Sequence, residues 1–211
     1  MPRPRKHSDA EIFAVARAVF LEHGPGASLS LVAERLDISQ PALFRRFGTK
    51  ERLLLLSLAP SPELPWVEQL LAGPDGRPLP TQLAEIAWGA MDFFAAAVPG
   101  LLTLRASGLD LRSLLQGPDE PAMRVRRAMS QFFAAAQARG LMRPAEPDRV
   151  ATMFIGGLQA RAMMAHIHEE DIGPAERRAH ALAIVELLWR GIQTEDPDLS
   201  TLQTLHGAGH D

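Results

Sequence analysis

The stretch Ser28-Leu29-Ser30-Leu31-Val32-Ala33-Glu34-Arg35-Leu36-Asp37-Ile38-Ser39-Gln40-Pro41-Ala42-Leu43-Phe44-Arg45-Arg46-Phe47-Gly48-Thr49-Lys50 decides the fold of this 211-residue chain. Ser28 is a capping residue, and Leu29, Val32, Ala33 and Leu36 recur at the spacing of a short helix with one buried face. Asp37-Ile38 leaves room only for a tight turn. Ser39 then caps a further helix, and Pro41 fits its first turn, where no backbone N–H is lost. Leu43 and Phe47 form the inward face, Gly48 ends the helix, and Thr49 caps another that begins at Lys50. Two short helices joined by a three- or four-residue turn make a helix-turn-helix unit.

Working outward, Ser8-Asp9-Ala10-Glu11 is a capping box, and Ile12, Val15, Ala16, Val19 and Phe20 continue a helical stripe that His23-Gly24-Pro25-Gly26 stops. Downstream, Ala59-Pro60-Ser61-Pro62 and Pro65 interrupt the chain. Gly73-Pro74-Asp75-Gly76, Pro99-Gly100, Gly117-Pro118, Gly140 with Pro144, and Gly173-Pro174 separate helical blocks near 63–72, 81–97, 101–115, 121–139, 147–169 and 174–193. Sustained period-two alternation is absent, Tyr is missing, and Ala and Leu dominate the apolar residues, so an all-α fold is predicted. The polar stretch 194–211 reads as a fraying tail.

Composition narrows the function. With no cysteine, disulfide frameworks, thiolate metal sites and cysteine nucleophiles are excluded. The basic start MPRPRKHSD is followed by no apolar run and cleavage site, so a cytoplasmic location is expected. Residues 86–102 are apolar, but Asp92 and Val98-Pro99-Gly100 argue for a buried helix rather than a membrane span. The net charge of −3 conceals an asymmetry, since residues 1–52 hold nine Lys or Arg and six Asp or Glu. A basic first quarter before an acidic remainder points to a polyanion met by the N-terminal part alone. No phosphate loop, nucleophile elbow or paired helical histidine motif supports catalysis, and no cofactor or metal is expected. His166 and His168 are two residues apart, which on a helix points them about 200° from each other.

Phe20-Leu21-Glu22-His23-Gly24, Ser28 to Ala33 and Asp37 to Leu53 together resemble the N-terminal domain of the tetracycline-repressor (TetR) family. Two positions depart from its usual pattern. The family commonly has glycine where this chain has Asp37, and a phosphate-binding tyrosine where it has Phe44. The resemblance implies a homodimeric transcriptional regulator, usually a repressor, with a helix-turn-helix DNA-binding domain at 1–52. A larger helical domain at 53–211 would bind an effector and dimerise. The implied activity is ligand-responsive binding to a palindromic double-stranded DNA operator, released by a small hydrophobic or aromatic effector. The alternatives are an activator with the same DNA contacts, or a helical ligand-binding or protein-interaction module that has lost operator binding.

The expected DNA-binding residues are Ser28, Ser39, Gln40, Pro41, Ala42, Phe44, Arg45, Arg46, Thr49 and Lys50. Gln40 and Arg45 are suited to base edges, and the serines, Thr49 and Lys50 to phosphates. Arg3, Arg5 and Lys6 form a basic arm. Effector contact is expected from Trp88, Met91, Phe94, Leu104, Arg105, Met123, Arg127, Phe132 and Phe133, large apolar side chains with a few charges among them. Dimerisation is assigned to Gly157, Ala160, Met164, Ile184 and Leu188 in the last two helices.

Overall fold

The computed structural model describes residues 7–59, 64–110 and 121–192, with the side chains of 121 and 122 excepted. The basic arm, the prolines at 60 and 62, the Gly117-Pro118 break and the tail 194–211 lie outside the described residues. Among those described, all regular structure is helical: α1 (Asp9–His23), α2 (Leu29–Arg35), α3 (Gln40–Phe47), α4 (Lys50–Leu58), α5 (Pro65–Ala72), α6 (Leu79–Ala106), α7 (Pro121–Ala138), α8 (Pro147–Ile167) and α9 (Pro174–Ile192).

These residues form two compact units. The first takes in the described residues within 1–64, 92–121 and 161–171, and the second those within 65–91, 122–160 and from 172 onward. The first is built on α1, which packs against α2 and α4, while α3 packs against α2 and α4. Ile12, Ala16, Val19 and Phe20 of α1, Leu29, Val32 and Ala33 of α2, Leu43 and Phe47 of α3, and Leu53, Leu54 and Leu58 of α4 form one apolar core, which Leu104 of α6 joins.

The capping box at the start of α1 is complete. The Ser8 N–H donates to the Glu11 carboxylate at 2.7 Å, and the Glu11 N–H donates to the Ser8 hydroxyl at 3.2 Å. These bonds to Ser8 hold the Glu11 carboxyl below its ordinary pKa. After α2, Asp37 adopts φ 50, the Ile38 N–H reaches the Ala33 carbonyl at 3.0 Å, and the Asp37 N–H reaches the Glu34 carbonyl at 3.0 Å. This is a Schellman closure with aspartate in the left-handed position that glycine usually takes. The same closure ends α8, where Glu169 has φ 56 and the Glu170 N–H bonds the Ala165 carbonyl at 2.8 Å.

The sequence pattern places a helix break at Pro99-Gly100, and the structure corrects it: α6 continues through Pro99 to Ala106. Proline removes the N–H that would bond the Ala95 carbonyl. Neighbours within the same unit occupy the next turns. Arg17 of α1 donates to the Ala96 carbonyl and, at 3.5 Å, to the Leu58 carbonyl, and the Thr103 hydroxyl donates to the Pro99 carbonyl at 2.9 Å. Gly100 is required by this approach, because a Cβ there would lie 2.7 Å from the Leu58 oxygen. Burial lowers the Arg17 pKa from its ordinary value.

In the second unit, Phe133 stacks edge-on against both Phe132 and Phe154, with centroids 6.0 and 6.1 Å apart. Gly89 lets α6 meet Trp66 of α5, whose Cβ would be 2.6 Å from any side chain at that position. The loop before α6 is tied down by the buried Gln82, which accepts from the Asp75 N–H at 2.9 Å and donates to the Arg77 carbonyl at 2.7 Å.

Candidate nucleic-acid interface

The two faces of α3 differ sharply. Leu43 and Phe47 are buried, and the Phe47 ring meets Phe13 of α1 at 5.5 Å. Pro41, Phe44 and Arg45 are exposed, with Gln40 and Ala42 half-buried beside them. Phe44 is 43% exposed, a large unsheltered ring on a helix that has a core available to it. Arg45 makes no hydrogen bond or ion pair among the described residues, so its five donors face outward unclaimed.

Arg46 behaves differently from its neighbour. One guanidinium nitrogen donates to the His7 carbonyl at 2.8 Å and another pairs with Asp9 at 2.5 Å, while the group lies 5.7 Å from the Phe47 ring centroid. The structure thus turns Arg46 toward the start of α1 and away from the face that Arg45 presents. His7, which the sequence reading did not single out, donates its Nε2–H to the Leu36 carbonyl at 2.8 Å.

The hydroxyl-bearing caps also divide. Ser28 accepts from the Ser30 N–H at 3.2 Å and Thr49 from the Arg52 N–H at 3.1 Å, so both oxygens serve their own helices. Ser39 occupies the N-cap of α3 in extended backbone but makes no capping hydrogen bond. The expected side-chain cap is therefore absent, and the exposed Ser39 hydroxyl stands at the end of the recognition face. Lys50 is half-buried at the start of α4.

Residues 12–56 match the family model for bacterial regulatory proteins of the tetR family. Residues 12–56 are therefore a tetR-family N-terminal domain. No curated protein matches it. Among solved structures, a tetR-family transcriptional regulator from Pectobacterium atrosepticum is 23% identical, with 90% of this chain and 95% of that one covered and a TM-score of 0.57. SmeT, the repressor of the Stenotrophomonas maltophilia multidrug efflux pump SmeDEF, is 16% identical at 88% and 90% coverage with a TM-score of 0.62. The flavonoid-responsive regulator FrrA is 18% identical at 92% and 100% coverage with a TM-score of 0.56. At these identities the likeness is one of fold.

The apolar residues assigned to effector binding are not gathered at one place. Trp88 lines a groove of about 500 Å³ in the second unit, with Ala84, Leu182, Val185 and Trp189. Its indole N–H is buried with no acceptor among the described residues, and Arg178 lies 5.6 Å from its ring centroid. Phe132 lines a different concavity of about 350 Å³ beside Ile86, Gln82 and Arg77. Met91 and Phe133 are fully buried in the second unit, Phe94 packs on Phe93 in the first, and Leu104 belongs to the core under the helix-turn-helix. Arg105, Met123 and Arg127 are exposed.

Of the residues assigned to dimerisation, Gly157 and Ile184 meet one another, since a Cβ on Gly157 would lie 2.9 Å from the Ile184 Cδ1. The His180 ring nitrogen sits 3.1 Å from the Gly157 carbonyl. This glycine therefore serves the packing of α8 on α9 inside the protomer. Ala160 and Met164 are exposed and Leu188 is half-buried. Sequence reading missed Met153 and Leu187, each 70% exposed. Their signal was only an apolar side chain one step off the buried stripe.

Helix α6 meets the length and mean hydropathy of a membrane span, yet 44% of its most apolar window is buried against the rest of the protein. Core helices meet the same test.

Proposed function

We propose that this chain is a ligand-responsive transcriptional repressor that binds a palindromic operator as a homodimer in the cytoplasm and is released by a small hydrophobic effector. The observation that carries the reading is the outer face of α3, where an unpaired Arg45 and an exposed Phe44 stand on a helix whose other face is locked into the core. An α-helix presented in this way fits the major groove, and an arginine there is suited to guanine O6 and N7. The Ser39 hydroxyl and Lys50 supply phosphate contacts that fix register. One such unit reads few base pairs, so two copies on a two-fold axis are needed for useful affinity.

The effector reading rests on the Trp88 groove, whose aromatic walls and unsatisfied indole N–H suit an aromatic molecule with a hydrogen-bond acceptor. SmeT has been solved in complex with triclosan, and FrrA is flavonoid-responsive. Both kinds of molecule are aromatic and carry oxygen. An effector acts by binding better to the form in which the two reading heads are wrongly spaced.

The test is selection of duplexes from a randomised library, followed by fluorescence anisotropy on the winning sequence. A palindromic winner bound with strong salt dependence supports the reading. Arg45→Ala is expected to weaken binding by about 1–3 kcal/mol, roughly 5- to 150-fold, with an unchanged thermal midpoint. No enrichment over random duplex with the folded wild-type chain overturns it.

A further inference from the structure

Helix α3 has only eight residues, and its buried anchors are two side chains, Leu43 and Phe47, four residues apart on one line along its length. Anchors on one line resist rolling about that line less than a tie set off to one side. The start of α3 supplies no side-chain tie, since Ser39 makes no capping hydrogen bond. The end of the helix does. Arg46, about 100° round the helix from Phe47, donates to the His7 carbonyl at 2.8 Å and pairs with Asp9 at 2.5 Å. His7 is itself fastened through its Nε2–H to the Leu36 carbonyl, at 2.8 Å, where α2 ends. Arg46 thus joins the recognition helix to the start of α1 and, through His7, to the end of α2. It is half-buried, whereas the adjacent Arg45 is exposed.

We propose that Arg46 is a positioning residue and not a DNA contact: its clasp on His7 and Asp9 fixes the roll of α3, and with it the aim of Arg45 at the base edges. This rests on the operator-binding reading above. Small rolls matter at this range. A side-chain tip about 6 Å from the helix axis moves by about 1 Å in a roll of roughly 10°. Charge-assisted hydrogen bonds span about 2.7–2.9 Å, so such a shift breaks one arm of a bidentate pair with guanine O6 and N7. An arginine suits the clasp because its planar fork holds a carbonyl and a carboxylate at once, which the point charge of a lysine does not. A phosphate contact makes no such demand, and a lysine serves there.

The experiment is a double-mutant cycle in the full-length chain, on the selected duplex and on one changed at the base pair whose preference Arg45→Ala loses. In the wild type, Arg45→Ala is expected to reduce discrimination between the two duplexes by about 5- to 150-fold. In the Arg46→Ala and Asp9→Ala backgrounds the same change is expected to cost less than about 3-fold, because Arg45 has already lost its aim. Arg46→Lys is expected to behave as Arg46→Ala does. The slope of log affinity against log salt is the second readout. A lost phosphate contact flattens it by about 0.9 unit, and Arg46→Ala is expected to leave it within about 0.3 unit of the wild type. Circular dichroism melts check that each variant is folded, and Asp9→Ala, which keeps the arginine, carries the cycle if Arg46→Ala is not.

The proposal is overturned if Arg45→Ala costs the same discrimination with and without the clasp. It is equally overturned if Arg46→Ala flattens the slope by about 0.9 unit and Arg46→Lys restores it, which would make Arg46 a phosphate contact. An Arg45→Ala variant that keeps every base preference of the wild type also overturns it, since there is then no aim to fix. A wild-type chain that does not distinguish the selected duplex from random DNA defeats the operator reading instead, so the two failures are separable.

Discussion

Phe44 occupies the middle of the exposed face of α3, where a tetR-family chain commonly offers a phenol. A ring that is 43% exposed contributes little to folding, and without a hydroxyl it has no polar bond to give a phosphate. Phe44→Tyr is therefore expected to tighten operator binding by about 1 kcal/mol, roughly fivefold in Kd, while the thermal midpoint stays within error. Anisotropy titrations at fixed salt decide it. Weaker binding by the tyrosine variant would place the ring against an apolar feature of the duplex and remove the phosphate contact from the account. Arg46 shows where residue-level reading reaches its limit. Helical spacing assigns side chains to faces, but Arg46 lies near the boundary between faces, and its choice was made by His7 and Asp9, whose approach depends on how α1 crosses α3.

At the scale of elements, the caps and turns were legible because their chemistry is local. Ser8 with Glu11, Thr49 before α4, and Asp37 in a left-handed turn each follow from a few consecutive residues. The Ser39 side-chain cap was not found, and the break at Pro99-Gly100 failed because its outcome depends on residues far away in sequence. Arg17 and Leu58 come from α1 and α4, and their fit against α6 keeps the helix continuous across a proline. Gly100 is the residue that permits it. Gly100→Ala is expected to destabilise the protein by about 1–3 kcal/mol, because the added methyl would press on the Leu58 carbonyl, a backbone atom with little freedom to move. In an unconstrained helix the same change would stabilise by up to about 1 kcal/mol, so the sign of the effect is the test. Denaturant midpoints measured side by side with Gly191→Ala, at a helical glycine with open space around it, give the comparison. A gain in stability from Gly100→Ala would show that α6 does not need this close approach. The scattered effector residues were misgrouped for a related reason. Hydrophobic periodicity says that Trp88, Phe132 and Leu104 are turned inward, but only tertiary packing says that Leu104 joins the core under the reading head while Trp88 borders a groove.

For the molecule as a whole, the proposed repressor needs a self-complementary surface, and exposed apolar side chains of the second unit suit one. Met153 on α8 and Leu187 on α9 are each 70% exposed, with the small residues Gly156 and Ala160 open beside Met153 along α8. Small residues allow backbones to approach, and protruding apolar side chains next to them have something to insert, which suits an isologous pairing of the last two helices with their symmetry mates. On the proposed pairing, Leu187→Glu puts a carboxylate from each copy into the contact, so it is expected to convert a particle of twice 23.0 kDa to one of 23.0 kDa in sedimentation equilibrium. Losing the second reading head should then reduce affinity for a palindrome far more than affinity for an isolated half-site. Leu71→Glu is the control, since Leu71 is also a prominent exposed leucine, at 60%, but lies on α5. If Leu71→Glu dissociates the particle and Leu187→Glu does not, the pairing surface belongs to another face. If the wild type is already a 23.0 kDa species at the concentration that saturates the operator, the two-fold reading of the palindrome falls with it.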